Sequence, residues 1–242
     1  MAVAIALPRS GSVVPWLIPA CGLVAIAGLS GWIDAPLLGA VCKPLTTLLI
    51  ALHASRRPSS DSQQRRAVLA GLILSFLGEC AMSVPRTFVA GLCLFVLAQC
   101  CYLSVSVRAI GLLRPGLIHV VHAMLVGWAV MMWSVRPTAV FAAVVAFMGL
   151  LGLTSAQCET WWWRSRGSPG AAVARYAALG GLFWLSADLL WTFSQFVAWV
   201  PQTYAFALTG YWLAQWFLAS IIGADEVAAT PQRAPAGAVL VL

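Results

Sequence analysis

Eight apolar runs of membrane-spanning length divide the chain, at residues 13–31, 35–54, 67–85, 87–107, 115–134, 137–157, 172–196 and 201–222. A helix needs about 20 predominantly apolar residues to cross the hydrocarbon core of a bilayer, so each run is long enough for one span. Inside a bilayer the backbone has no water to bond, and such runs fold there as helices. Of the 242 residues, 62% are hydrophobic and only 9% are charged. A soluble domain carries about 25% charged residues. The composition therefore excludes a soluble enzyme, a disordered chain and a secreted disulfide scaffold. The expected fold is all-α: a polytopic bundle of eight transmembrane helices in one domain, 13–222. A short N-terminus, 1–12, precedes it, and a flexible tail, 223–242, follows.

Polar punctuation separates the runs. Gly31-Trp32-Ile33-Asp34, the stretch Ser55 to Arg66, Pro85-Arg86, Arg114-Pro115, Arg136-Pro137, Arg164 to Gly170, and Pro201 all fit helix ends at an interface. The formal charge of +7 is read as topology and not as a nucleic-acid footprint. Eleven arginines fall at the termini and after the second, fourth and sixth runs: Arg9, Arg56, Arg57, Arg65, Arg66, Arg108, Arg114, Arg164, Arg166, Arg175 and Arg233. The opposite side carries only Arg86 and Arg136. This asymmetry predicts both termini in the cytoplasm and supports an even span count. The expected location is an integral multi-pass membrane protein, in the cytoplasmic (inner) membrane of a bacterium or the endoplasmic reticulum of a eukaryote.

The seven cysteines form no CxxC and no paired extracellular spacing, so they read as small hydrophobes. Trp161-Trp162-Trp163 beside Arg164 reads as an interfacial belt. Trp184, Trp191, Trp212 and Trp216 either pack the bundle or line a lipid-sized cavity. Gly149 and Gly152 permit close helix contacts, within the chain or between copies, which leaves a homo-oligomer open. His119 and His122 are spaced for a shared metal, but no acidic or Cys partner stands out beside them; they read as interfacial, and no metal site is expected. There is no GxSxG, HExxH or Walker loop, and so no visible acyl-hydrolase nucleophile.

Ionisable side chains inside a span cost about 2.5–3.5 kcal/mol on insertion scales and mark function by default. Lys43, Glu79 and Asp188 are the clear cases. Gln99, Tyr102, Ser186, Tyr211 and Gln215 are cheaper polar companions. Counted from the run ends at 1.5 Å per residue, Lys43, Glu79, Asp188 and Tyr211 fall within about 6 Å of one level. Two carboxylates beside one cation divide into an acid and a base, the arrangement used to cleave acetal-like ethers. A buried ion-pair cluster that only holds helices together is the competing reading. Pro44 removes a backbone donor next to Lys43 and loosens the preceding turn.

These residues resemble the lysoplasmalogenase family, the YhhN-like eight-helix membrane proteins. The likeness rests on Lys43-Pro44-Leu45, on Leu77-Gly78-Glu79, and on the series Phe88, Gly91, Phe95, Ala98-Gln99, Tyr102. It continues with Gly180-Gly181-Leu182-Phe183 leading to Asp188, and with Tyr211 and Gln215. Order and spacing agree over most of residues 35 to 222. Glu79 stands where the family usually has Asp, Gln99 where it has His, and Ala187 where it has Ser. The resemblance implies hydrolysis of the vinyl ether of a lysoplasmalogen to a fatty aldehyde and a glycerophospho-base, without a cofactor. On that reading Glu79 and Asp188 are the catalytic pair. Lys43 holds one carboxylate ionised or meets the lipid phosphate, and Gln99, Tyr102, Tyr211 and Gln215 orient water or substrate. The partners expected are the lysophospholipid substrate and membrane lipids, with no nucleic acid. Two alternatives remain at this point: a proton-coupled lipid or small-molecule transporter, and a non-catalytic lysolipid-binding protein.

Overall fold

The structure, a computed structural model, describes residues 13–112, 116–136, 138–198 and 200–224. Among these, eight α-helices occupy the eight apolar runs: α1 (Val14–Leu29), α2 (Pro36–Ser55), α3 (Ser62–Met82), α4 (Phe88–Ile110), α5 (Leu117–Trp133), α6 (Thr138–Arg164), α7 (Ala171–Phe196) and α8 (Thr203–Ala219). A single 3-10 turn, Pro85–Thr87, joins α3 to α4. Helices α2, α4, α6 and α7 are long and apolar enough to cross a membrane, and α1 and α5 are shorter apolar helices. The chain is thus a multi-pass membrane protein. At 16 to 17 residues, α1, α5 and α8 each measure roughly 25 Å, a little under the hydrocarbon thickness.

Local chemistry sets the helix starts. Pro36 opens α2, where its missing N–H costs nothing. Asp61 caps α3, its Oδ1 accepting from the backbone N–H of Gln63 at 2.9 Å and of Gln64 at 2.8 Å. This cap starts α3 five residues before the apolar run does, because the Ser62–Arg66 turn is helical but polar. Pro44 lies inside α2, which stays continuous through it. Gln202, ahead of α8, has φ 59, and its side-chain oxygen accepts from the Trp32 indole N–H at 3.1 Å. That bond ties the loop after α1 to the loop before α8.

Six helices form a closed ring in the order α2, α3, α4, α6, α7, α8. Helix α1 lies outside it against α2 and α8, and α5 lies outside it against α6 and α7. The outward surface is apolar: Leu37, Leu117, Trp16 and Met124 are all at least 70% exposed. In water such a surface would be a liability; against lipid tails it is the solvated face. Gly152 lets α6 approach α5, since a Cβ there would sit 2.5 Å from Val126 Cγ2, while Gly149 faces open space. Gly152 therefore serves a contact within the chain. Helix α8 runs on into a turn that packs inward, with Ile221, Ile222 and Ala224 buried. The expected loose tail thus begins packed at 223–224; the rest of it, the N-terminus 1–12, and Arg9, Arg114 and Arg233 lie outside the described residues.

Candidate functional site

The ring encloses a cavity of about 320 Å³. It lies at the end of the bundle where α2, α4, α6 and α8 begin, and all six ring helices contribute to its wall. Four of the residues singled out from the sequence line it: Lys43, Glu79, Asp188 and Tyr211. They arrive from α2, α3, α7 and α8, so the helices bring together groups that are far apart in the chain.

Glu79 is 1% exposed. One carboxylate oxygen, Oε1, accepts from the Thr47 hydroxyl; the other, Oε2, has no partner among the described residues. Thr47 is four residues beyond Lys43 and so shares its face of α2. The Tyr211 hydroxyl adjoins Glu79 but closes no hydrogen bond with it. Across the cavity Asp188 sits beside the Trp184 indole, and its Oδ2 is buried without a partner among the described residues. Lys43 is half-buried and within electrostatic range of Glu79. Its nitrogen makes no ion pair within 4.0 Å among the described residues. A purely structural ion-pair cluster would have closed that contact and satisfied those oxygens. The arrangement instead leaves two buried carboxyl oxygens without a partner among the described residues, on residues that line one cavity together with a lysine.

The hydrogen bond to Thr47 also fixes depth. Thr47 is 11 residues into α2, roughly 16 Å along it, yet Glu79 is only three residues from the end of α3, roughly 5 Å. The α3–α4 hairpin therefore stops roughly 10 Å short of the start of α2. This recess puts Phe88, the first residue of α4, on the cavity wall. It depends on close packing: Gly78 and Gly91 face each other across the hairpin, and a Cβ on Gly91 would lie 3.0 Å from the Gly78 carbonyl oxygen.

Gln99, Tyr102 and Gln215 do not reach the cavity. All three are buried, and the Tyr102 hydroxyl donates to Gln215 Oε1 at 2.9 Å. An aromatic floor lies between them and the carboxylates. Trp184 packs edge-on against Tyr211 at 5.2 Å, against Phe95 at 5.8 Å and against Tyr102 at 6.0 Å between ring centroids. These three thus lie behind the floor and not on the cavity wall. Ser186 is exposed on the outside of α7 and has no part in the site. Of the tryptophans left open by the sequence, Trp184 and Trp191 line the cavity, Trp212 packs on Gly22, and Trp216 stacks on His53 at 5.2 Å.

Several residues of the site carry little sequence signal. Thr47 is one, found only by its i+4 spacing from Lys43. Trp133, Thr192, Gln195 and Tyr204 are others, all on the cavity wall. Trp133 donates its indole N–H to Thr192 Oγ1 at 3.2 Å, which attaches the end of α5 to α7.

A second polar cluster corrects the reading of the histidines. Helix α6 continues to Arg164, seven residues past the apolar run, and carries Glu159 to His122. The ring nitrogen Nε2 of His122 lies 3.0 Å from Glu159 Oε1 and 3.2 Å from Ser155 Oγ. Nδ1 lies 2.8 Å from the Ile118 carbonyl oxygen, which can only accept, so Nδ1 carries a hydrogen. His122 is 7% exposed and is, with Ala129, one of two buried residues of α5. It ties that helix to α6 through Glu159, the acidic partner that did not stand out in the sequence. The same extension turns Trp161 inward, leaving Trp163 at the surface with the Arg166 guanidinium 3.8 Å above its ring. Replacing either His122 or Glu159 by Ala should lower stability by about 1–2 kcal/mol. A thermal double-mutant cycle checks this, and additive losses would contradict the pairing.

The sequence model of the YhhN family matches residues 38–222, which takes in α2 to α8 apart from the first two residues of α2. No curated protein and no solved structure matches the chain.

Proposed function

Because the chain belongs to the YhhN family, which includes lysoplasmalogenases, we propose that it hydrolyses the vinyl ether of a lysoplasmalogen within the membrane. The observation that carries the reading is the pair of buried, unpartnered carboxyl oxygens, Glu79 Oε2 and Asp188 Oδ2, at one cavity with a lysine that makes no ion pair among the described residues.

The chemistry needs two carboxyl groups in opposite protonation states. The acid gives its proton to the β-carbon of the vinyl ether, and the electron pair of the double bond forms the new C–H bond. Positive charge then spreads over the α-carbon and the ether oxygen as an oxocarbenium ion. The second carboxylate takes a proton from water as the water oxygen bonds to the α-carbon. The resulting hemiacetal gives its hydroxyl proton to the first group, now a carboxylate, while the second, now protonated, gives its proton to the glycerol oxygen as the C–O bond breaks. The products are a fatty aldehyde and a glycerophospho-base, and the two carboxyl groups regain their starting states together. Ionised carboxylate beside the oxocarbenium also stabilises its charge in a site with little water. Thr47 holds one oxygen of Glu79 by donating to it, leaving the other for the reaction. Lys43 is the one basic residue on the wall among the described residues, suited to the substrate phosphate or to keeping Glu79 ionised.

An amphiphilic substrate fits this location. A site within the ring receives the ether, and the bilayer accommodates the chain. With the cavity end facing away from the cytoplasm, as the arginine distribution implies, the headgroup remains at that interface. The expected result is release of aldehyde and water-soluble glycerophospho-base in equal amounts from a lysoplasmenyl lipid by the purified protein in detergent. Recovery of intact lipid after prolonged incubation across a range of pH would overturn the proposal.

A further inference from the structure

We infer that the mouth of the cavity is a quaternary-ammonium site, so that the protein prefers a lysolipid with a choline headgroup over one with an ethanolamine headgroup. The inference rests on the reading of the cavity as a lysolipid site. Nearer its open end, the wall is made by Trp191, Thr192 and Gln195 of α7, Tyr204 of α8 and Trp133 of α5. The rings of Trp191 and Tyr204 pack edge-on against each other, 5.7 Å apart at 69°, and both line the cavity. Trp133 is held by Thr192, but one of its faces already has the Arg136 guanidinium at 5.8 Å. Trp191 and Tyr204 therefore carry the site.

The charges around it decide between the headgroups. Glu79 and Asp188 are the only acidic residues on the wall among the described residues. Asp188 is one turn below Trp191, and Tyr211 is about 10 Å of helix below Tyr204. The Tyr204-to-Tyr211 distance, about 10 Å, is that between amine and ether along an extended glycerophospholipid, which places the ether beside Tyr211 and Glu79. An ethanolamine ammonium carries three N–H donors that need acceptors once its water is stripped away. Near the mouth the acceptors are the side-chain oxygens of Thr192, Gln195 and Tyr204, with Thr192 Oγ1 already accepting from Trp133, and about 4.5 Å deeper on the same face of α7 the carboxylate of Asp188, which the reaction itself uses. A trimethylammonium has no N–H to satisfy, and its charge spreads over methyl groups that pack on aromatic faces. Lys43 is on the same wall for the phosphate next to it.

The test measures aldehyde release by the full-length protein from lysoplasmenylcholine and lysoplasmenylethanolamine. The expected kcat/KM ratio is about tenfold in favour of choline, the size of one cation–π contact at a partly desolvated site. Trp191→Leu and Tyr204→Leu keep the surface apolar but remove a ring, and each should bring the ratio towards one. Tyr204→Phe keeps the ring and should retain the preference, which separates ring loss from misfolding. A wild-type ratio at or below one, or a tenfold ratio that survives both leucine variants, overturns the inference. Binding of the saturated ether lysolipids with the two headgroups is measured alongside. If neither plasmalogen yields aldehyde, the hydrolase reading fails, and the binding ratio alone decides the headgroup site. Phosphocholine without a chain is the third ligand. Weak competition by it keeps the lipid as occupant, and competition as strong as that of the whole lipid overturns that assignment.

Discussion

Asp188→Asn is expected to lower aldehyde formation from a lysoplasmenyl lipid by about 100- to 10,000-fold, the range that a positioned acid or base contributes, and Glu79→Gln is expected to do the same. Each substitution keeps the volume and shape of the side chain and removes only its ability to exchange a proton. In Glu79→Gln the Thr47 hydroxyl can still donate to the carbonyl oxygen of the new amide, so the packing between α2 and α3 is preserved. Both variants should therefore remain monodisperse in detergent with a thermal midpoint near that of the parent. Replacing an ionisable group inside the bundle by a neutral one also relieves desolvation, so stability should hold or rise. Rate loss with retained stability is the signature of chemistry, whereas loss of both would indicate a structural role. Full activity in either variant contradicts the acid/base assignment.

The second large effect comes from a residue that touches no substrate. In Gly91→Ala the new Cβ would collide with Met82 Cγ and lie 3.0 Å from the Gly78 carbonyl oxygen. Met82 can rotate, but the carbonyl belongs to a helix backbone, so α3 and α4 must separate. Overpacking of this kind costs about 1–3 kcal/mol. Glu79 is the next residue after Gly78, and Met82 is itself on the cavity wall. A shift of about 1 Å at a reacting group can cost 100-fold in rate. Gly91→Ala is thus expected to lower kcat by about 10- to 100-fold and to lower the thermal midpoint with it. Gly149→Ala provides the contrast, since nothing lies within 4 Å of its Cβ position; it should alter neither quantity. Unchanged kcat in Gly91→Ala would mean that the hairpin does not position Glu79.

The fold is legible in the sequence because membrane insertion imposes length and apolarity, and both are written in the chain. All eight helices fall within the expected runs or extend them by a few residues. The longest extension, that of α6, has a clear cause. An apolar run ends at the first cluster of polar residues, yet Glu159 is bonded to His122 and Ser155 inside the protein and does not end α6. For the same reason Glu159 carries no sequence signal as the partner of His122. The cavity's ionisable groups are legible as charges in hydrocarbon, each needing a reason to be there. Gln99, Tyr102 and Gln215 look like members of the same centre because they share its faces along the helices. What separates them is the aromatic floor of Trp184, Tyr211 and Phe95, a feature of packing between helices that periodicity along one helix does not encode. The recess of the α3–α4 hairpin is hidden in the same way: it follows from which residues of α2 and α3 face each other, and only the Thr47–Glu79 bond reveals it.

The most direct measurement of the proposed chemistry is the isotopic composition of the aldehyde made in D2O. Purified protein is given a lysoplasmenyl lipid, and the aldehyde is trapped as it forms and weighed by mass spectrometry. Protonation of the vinyl β-carbon by a solvent-exchanged carboxyl group predicts one deuterium at carbon 2 of the aldehyde, with formation abolished in Asp188→Asn. Lipid recovered intact, or aldehyde carrying no deuterium, would contradict acid-catalysed opening of the ether at this site.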